Sequence, residues 1–232
     1  MNKNKLNVRK LVELGVLTAI ILIMAFTPLG YLMTPWGIQI TLIVIPVAVG
    51  GIILGPKAGA FLGLVFGLTS FSQSFSSVLG QQMLQVSPVK TFILLVGNRI
   101  LVGLIPALIY LGFRKLKLNK AVAITICCFL TPITNTVLYI AGNWLMFKDT
   151  WLGNESLTGG YTGNGGFSLL FFMLGLVAVN GIVEAIASTI IGSAVCQALT
   201  HTVNKADTPI SASYKEGVAK DVVDNKNLGE SA

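Results

Sequence analysis

A few polar side chains stand where long apolar sequence surrounds them. Asn98 and Arg99 lie within the run from Lys90 to Gly112, Asn135 within 121–142, and Asn180 and Glu184 within 168–199. Arg99 carries the sharpest chemistry. Its guanidinium is permanently charged and presents a planar fork of donors that matches a carboxylate in a two-point contact. At the centre of a spanning helix such a cation costs about 3 kcal/mol on insertion scales, so it needs a partner. Two partners fit. Glu184 can form an internal ion pair with Arg99, which is a structural reading. Alternatively an anionic ligand entering from outside brings its own carboxylate. A mixed case has Glu184 orienting Arg99 while the ligand takes the remaining donors. Asn98 adjoins Arg99, and Asn135 shares a helix face with Tyr139 at four-residue spacing. Trp36 and Gln73, on outer segments, and Asn180 complete the candidate binding set with Arg99, Asn98, Asn135 and Tyr139.

The elements that position these residues follow from apolar run length. The chain has 232 residues, 53% hydrophobic and only 11% charged, against about 25% charged in a soluble domain. It reads as an all-α integral membrane protein, a bundle of six transmembrane helices with both termini cytoplasmic. The spans are expected at about 11–26, 42–54, 58–71, 90–112, 121–142 and 168–199, each judged against the roughly 20 apolar residues a crossing needs. Residues 1–10 form a basic cytoplasmic N-terminus, 11–200 the membrane domain, and 201–232 a charged, disordered cytoplasmic tail. Lys3, Lys5, Arg9, Lys10, Lys57, Arg114, Lys115, Lys117 and Lys120 all fall on the inner side of this plan, as short cytoplasmic loops require.

Local signals refine the plan. Gly59, Gly63 and Gly67 recur at every fourth position, and Gly15 and Ala19 repeat the spacing in the first helix. Such faces let helices approach closely. Pro46 suggests a partly unwound start to the second helix, and Pro132 a kink supported by neighbouring threonines. Leu29–Thr41, with Tyr31 and Trp36, is an outer loop whose aromatics either anchor at the interface or cover a ligand. Its end alternates like a short extended segment. Ser72–Pro88 and Phe147–Phe167 are expected as outer loops.

Several function classes are excluded or weakened. There is no phosphate-binding G-x-x-x-x-G-K-[ST], no H-E-x-x-H and no G-x-S-x-G. The single histidine, His201, lies outside the apolar runs. Cys127, Cys128 and Cys196 read as small apolar packing residues. The set favours binding or transport over an enzyme, with no cofactor, no metal and no nucleic acid.

At this point the chain resembles the substrate-binding S components of energy-coupling factor (ECF) vitamin transporters. The resemblance rests on the length and six-helix plan, on Gly15 and Ala19, on IQITLIVIPVAVGGIILGPKAGAFLGLVFG (Ile38 to Gly67) and on NRILVGLIPALIY in the fourth helix. The family's first-helix motif has alanine where this chain has Gly15, which still allows close approach. The resemblance implies a bacterial plasma-membrane subunit that captures a vitamin from outside beneath the loop between its first two helices. It also implies docking through Gly15 and Ala19 on a membrane coupling subunit (T component) driven by two ATPases. Within the family the chain is most similar to pantothenate types, with Arg99 on the carboxylate and Asn98, Asn135 and Gln73 on the hydroxyls and amide. Hydroxymethylpyrimidine, pyridoxine and folate are the alternative substrates, and a stand-alone channel or secondary transporter is the alternative class.

Overall fold

The computed structural model describes residues 3–28, 30–33, 39–152 and 181–206. Its elements in chain order are α1 (Lys3–Ala25), β1 (Tyr31–Met33), β2 (Gln39–Thr41), α2 (Val44–Leu54), α3 (Pro56–Ser74), α4 (Val78–Val86), α5 (Pro88–Phe92), α6 (Asn98–Lys115), α7 (Lys120–Leu152) and α8 (Ser193–Ala206). Between α5 and α6 the chain makes a π turn at Ile93–Gly97 and stays helical, so Pro88–Lys115 is one 28-residue helix. Helical residues 181–187 lead through a second π turn, Ser188–Gly192, into α8. Pro88–Lys115, Lys120–Lys148 and Gly181–Thr200 are long and apolar enough to cross a membrane, and Val44–Leu54 is a shorter apolar helix. The fold is a helical membrane bundle with one addition to the expected all-α plan, an antiparallel hairpin in which Tyr31 pairs with Thr41 and Leu32 with Ile40.

The glycine repeat of α3 builds the central seam. A Cβ placed on Gly59 would lie 2.2 Å from the Gly103 carbonyl oxygen, and one on Gly63 would lie 2.2 Å from the Arg99 carbonyl oxygen. On Gly67 it would meet the Val96 Cα at 2.8 Å. The α3 and α6 backbones therefore touch along three turns, as small residues at four-residue spacing permit. Around this seam Ile21 and Ala25 of α1, Val44 and Val47 of α2, Leu62 and Phe66 of α3 and Val102 of α6 form one buried cluster. A second joins Ile45, Val49 and Ile52 of α2 to Ala123, Ile124, Cys127 and Cys128 of α7, and to Cys196 of α8. The cysteines are free and buried, as packing residues should be.

Several local expectations change. Pro46 does not unwind α2. Counting from Ile43 as N-cap it is the third helical residue, where the backbone N–H would have no helical acceptor in any case. Ser72–Pro88 is mostly helix rather than loop, since α3 runs to Ser74 and α4 fills Val78–Val86. Ser77 caps α4 by accepting from the Gly80 N–H at 3.1 Å, and Leu79, Met83 and Val86 recur at helical spacing. The helix α7 extends to Leu152, beyond the expected end at 142, and the last helix continues to Ala206. The rest of the Phe147–Phe167 segment lies outside the described residues.

Pro132 sits inside α7 and cannot donate to the carbonyl of Cys128 four residues before it. The freed carbonyl accepts instead from Ser188 Oγ at 2.9 Å, across to the last helix. The expected threonine acts differently: Thr131 Oγ1 donates to the Cys127 carbonyl at 2.7 Å.

Candidate functional site

Arg99 comes off the π turn on the inner side of the Pro88–Lys115 helix, with only 8% of its surface exposed. Its guanidinium carbon lies 5.1 Å from the centre of the Phe66 ring on α3 and 5.5 Å from that of Tyr139 on α7. Both aromatic faces attract the cation and fix its plane. Neither Nε nor Nη1 has a hydrogen-bond partner in the protein. The internal ion pair with Glu184 therefore does not take up these donors. Glu184, itself buried, accepts through Oε1 from the Thr41 backbone N–H at 2.7 Å, on the hairpin.

Buried polar groups in proteins are normally paired, so exceptions point to a site. Among the described residues the buried side-chain nitrogens and oxygens without a partner belong to Gln82, Asn98, Arg99, Asn135 and Asn143. Asn98 lacks partners for both Nδ2 and Oδ1, and Asn135 and Asn143 each for Oδ1. Asn135, Tyr139 and Asn143 stand at four-residue steps on one face of α7, with Tyr139 over the guanidinium. Around Arg99 the unpartnered atoms are thus nitrogen donors of Arg99 and Asn98 and, on the facing helix, amide oxygens of Asn135 and Asn143. A ligand that suits them carries an anionic acceptor together with hydroxyl or amide donors.

The expected set divides on the structure. The packing of α6 and α7 brings Arg99 against Tyr139, with Asn98 next to Arg99 in the chain and Asn135 one turn from Tyr139 on α7. Gln73 does not join them, because its side-chain amide donates to the Ala25 carbonyl and ties the end of α3 to the end of α1. Trp36 and Asn180 lie outside the described residues. Two members were not expected. Asn143 continues the Asn135–Tyr139 spacing, a signal present in the sequence. Phe66 precedes Gly67 of the seam and so falls beside the helix that carries Arg99.

The hairpin lies beside these residues. The Tyr31 hydroxyl lies 3.2 Å from Ser70 Oγ on α3, and Tyr31 packs on the cluster that contains Phe66. Burial raises the Tyr31 phenol above its ordinary pKa, and the Ser70 hydrogen bond and the positive charge of Arg99 oppose that rise.

A family model described as the substrate-specific component of ECF transporters matches residues 9–195. The chain belongs to this family. It is accordingly a component of a transporter rather than an enzyme, and a multi-pass protein of the bacterial plasma membrane. Among curated relatives of this substrate-specific component, the pantothenic acid transporter PanT of Lactococcus lactis subsp. cremoris (strain MG1363) is 31% identical over 199 residues. That match covers 80% of this chain and 90% of the relative. The pantothenate transporter PanT of Leuconostoc mesenteroides subsp. mesenteroides is 32% identical over 190 residues, covering 79% and 85% respectively.

Proposed function

We propose that this substrate-specific component captures pantothenate from outside the cell, with Arg99 holding the carboxylate. The observation that carries the reading is the buried Arg99 guanidinium, set between Phe66 and Tyr139 with Nε and Nη1 unpartnered. Pantothenate has one carboxylate, two hydroxyls and an amide. The carboxylate answers the guanidinium, and the hydroxyl and amide donors answer the oxygens of Asn98, Asn135 and Asn143. Gln73, bound to Ala25, has no part in this assignment. The two PanT relatives support the same substrate.

The wider plan has six spans with both ends in the cytoplasm. Gly15 and Ala19 dock on the membrane coupling subunit, which two ATPases drive. Both residues are exposed, and a Cβ on Gly15 would meet nothing within 4 Å, so the face is open to a partner.

A calorimetric titration of purified protein with a panel of water-soluble vitamins tests the substrate. Pantothenate binds, and Arg99→Ala weakens it by about 2–5 kcal/mol while the protein stays folded, the range for truncating one partner of a buried charge pair. Tight binding of hydroxymethylpyrimidine, pyridoxine or folate in place of pantothenate overturns the substrate. An unchanged affinity in Arg99→Ala overturns the clamp.

A further inference from the structure

Glu184 is a buried acid that the carboxylate clamp does not use. Its contact is instead with the root of the hairpin. The Gly30 carbonyl accepts from the Leu42 N–H at 3.0 Å, so Gly30 and Leu42 form a hydrogen-bonded pair of the antiparallel ladder. Tyr31 and Thr41, next in register, are then a non-hydrogen-bonded pair, because the two kinds alternate. The Thr41 N–H consequently points away from β1, as an edge donor. An edge donor away from water needs an acceptor, and Glu184 Oε1 supplies it at 2.7 Å. Across the ladder, Tyr31 is tied to Ser70 of α3. The cross-strand pair Tyr31–Thr41 therefore forms a bar fastened at one end to α3 and at the other to the last helix.

We infer that Glu184 is a positioning residue: it latches the hairpin root through the Thr41 N–H and sets how long a bound ligand stays, without contacting the ligand's carboxylate. The choice of probe rests on the pantothenate reading above. The latch acts on dissociation, since opening the hairpin is a step on the way out.

Thr41 meets Glu184 through its side-chain hydroxyl as well as its N–H, and two substitutions remove this contact from opposite sides. Glu184→Ala deletes the acceptor. Thr41→Pro deletes both donors and costs no ladder bond, since proline is accepted at an edge position whose N–H faces outward. Stopped-flow dissociation of pantothenate should be about tenfold faster in each, in line with a charge-assisted hydrogen bond. The double variant should dissociate no faster than the faster single one. The affinity ratio of pantothenate to its alcohol analogue, in which CH2OH replaces the carboxylate, should match the wild type in Thr41→Pro, which keeps the Glu184 charge near Arg99. Glu184→Gln, which keeps an acceptor oxygen, should recover most of the retention. Unchanged dissociation in both single variants, additive effects, or a collapsed ratio would each overturn the latch.

Hydrogen exchange of the ligand-free protein separates this inference from the substrate reading. Amides of residues 30–33 and 39–42 should exchange about tenfold faster in Glu184→Ala, with those of α3 and α6 unchanged. Equal exchange in wild type and variant sinks the latch. Faster exchange without any pantothenate binding sustains it and sinks the substrate instead.

Discussion

Two helix faces in this molecule carry the same small-residue signal and meet opposite fates. On α3, Gly59, Gly63 and Gly67 are covered by the backbone of the Pro88–Lys115 helix, with gaps that a single Cβ would close. On α1, Gly15 and Ala19 are exposed, and apolar Leu11, Val12, Val16 and Ile23 are exposed on the same helix. The spacing alone states that a close approach is possible. The contrast teaches what each approach is for. The α3 seam is internal and places the helix that carries Arg99. Among the described residues nothing covers the α1 face, and in the function proposed here it receives the coupling subunit.

The comparison can be broken at several points. The largest effect belongs to the covered face. Gly63→Ala sets a methyl against the Arg99 carbonyl, a backbone atom that cannot swing aside. Thermal unfolding in detergent should show a loss of about 3 kcal/mol, the upper range for overpacking, and pantothenate affinity should fall as Arg99 shifts. A variant as stable as wild type would mean that the seam is looser than the geometry states. Next is a polar tie rather than a small-residue contact. Ser188→Ala leaves the Cys128 carbonyl, already deprived of a donor by Pro132, with no partner. Denaturation should register a loss of about 1–2 kcal/mol, with pantothenate binding little changed. The smallest effect on the isolated chain belongs to the open face. Gly15→Leu should alter stability by less than about 0.5 kcal/mol and leave vitamin affinity as it was. Cellular uptake with the full complex should nonetheless collapse. Intact uptake in Gly15→Leu would show that this face meets only lipid.

Much of the fold was legible because membrane burial acts on whole runs of residues. The apolar stretches locate the helices, and Gly55 followed by Pro56 marks the turn between α2 and α3, where Gly55 adopts φ 102°. The short extended segment before α2 was also readable, from alternation ending at Thr41. What escaped depended on neighbours. The helix α4 was hidden by its glutamines, which read as loop in a polar stretch yet are good helix formers once Ser77 caps them. The extension of α7 was masked by Lys148 and Asp149 and by the Gly- and Asn-rich sequence that follows it.

The site shows the same division. Arg99, Asn98 and Asn135 were conspicuous because a charged or amide side chain in an apolar run is costly. The tie of Gln73 to the Ala25 carbonyl was not legible, because a sequence does not tell which backbone carbonyl lies beside an amide. The neighbours of Glu184 were hidden for the same reason. Its choice between Arg99 and the Thr41 N–H turns on a few ångströms of separation between elements more than 80 residues apart along the chain.

The sequence by itself determined that this chain lives in a membrane, that its helices can approach closely, and that Arg99 has to be compensated. Those follow from transfer energies and side-chain size, which belong to the residues. Tertiary structure alone decided which small-residue face is filled, that Phe66 and Tyr139 flank the guanidinium, and that Glu184 serves the hairpin. Those depend on where separate elements come to rest against each other, and hydrogen bonds and ring contacts are decided over distances shorter than any pattern along one helix can specify.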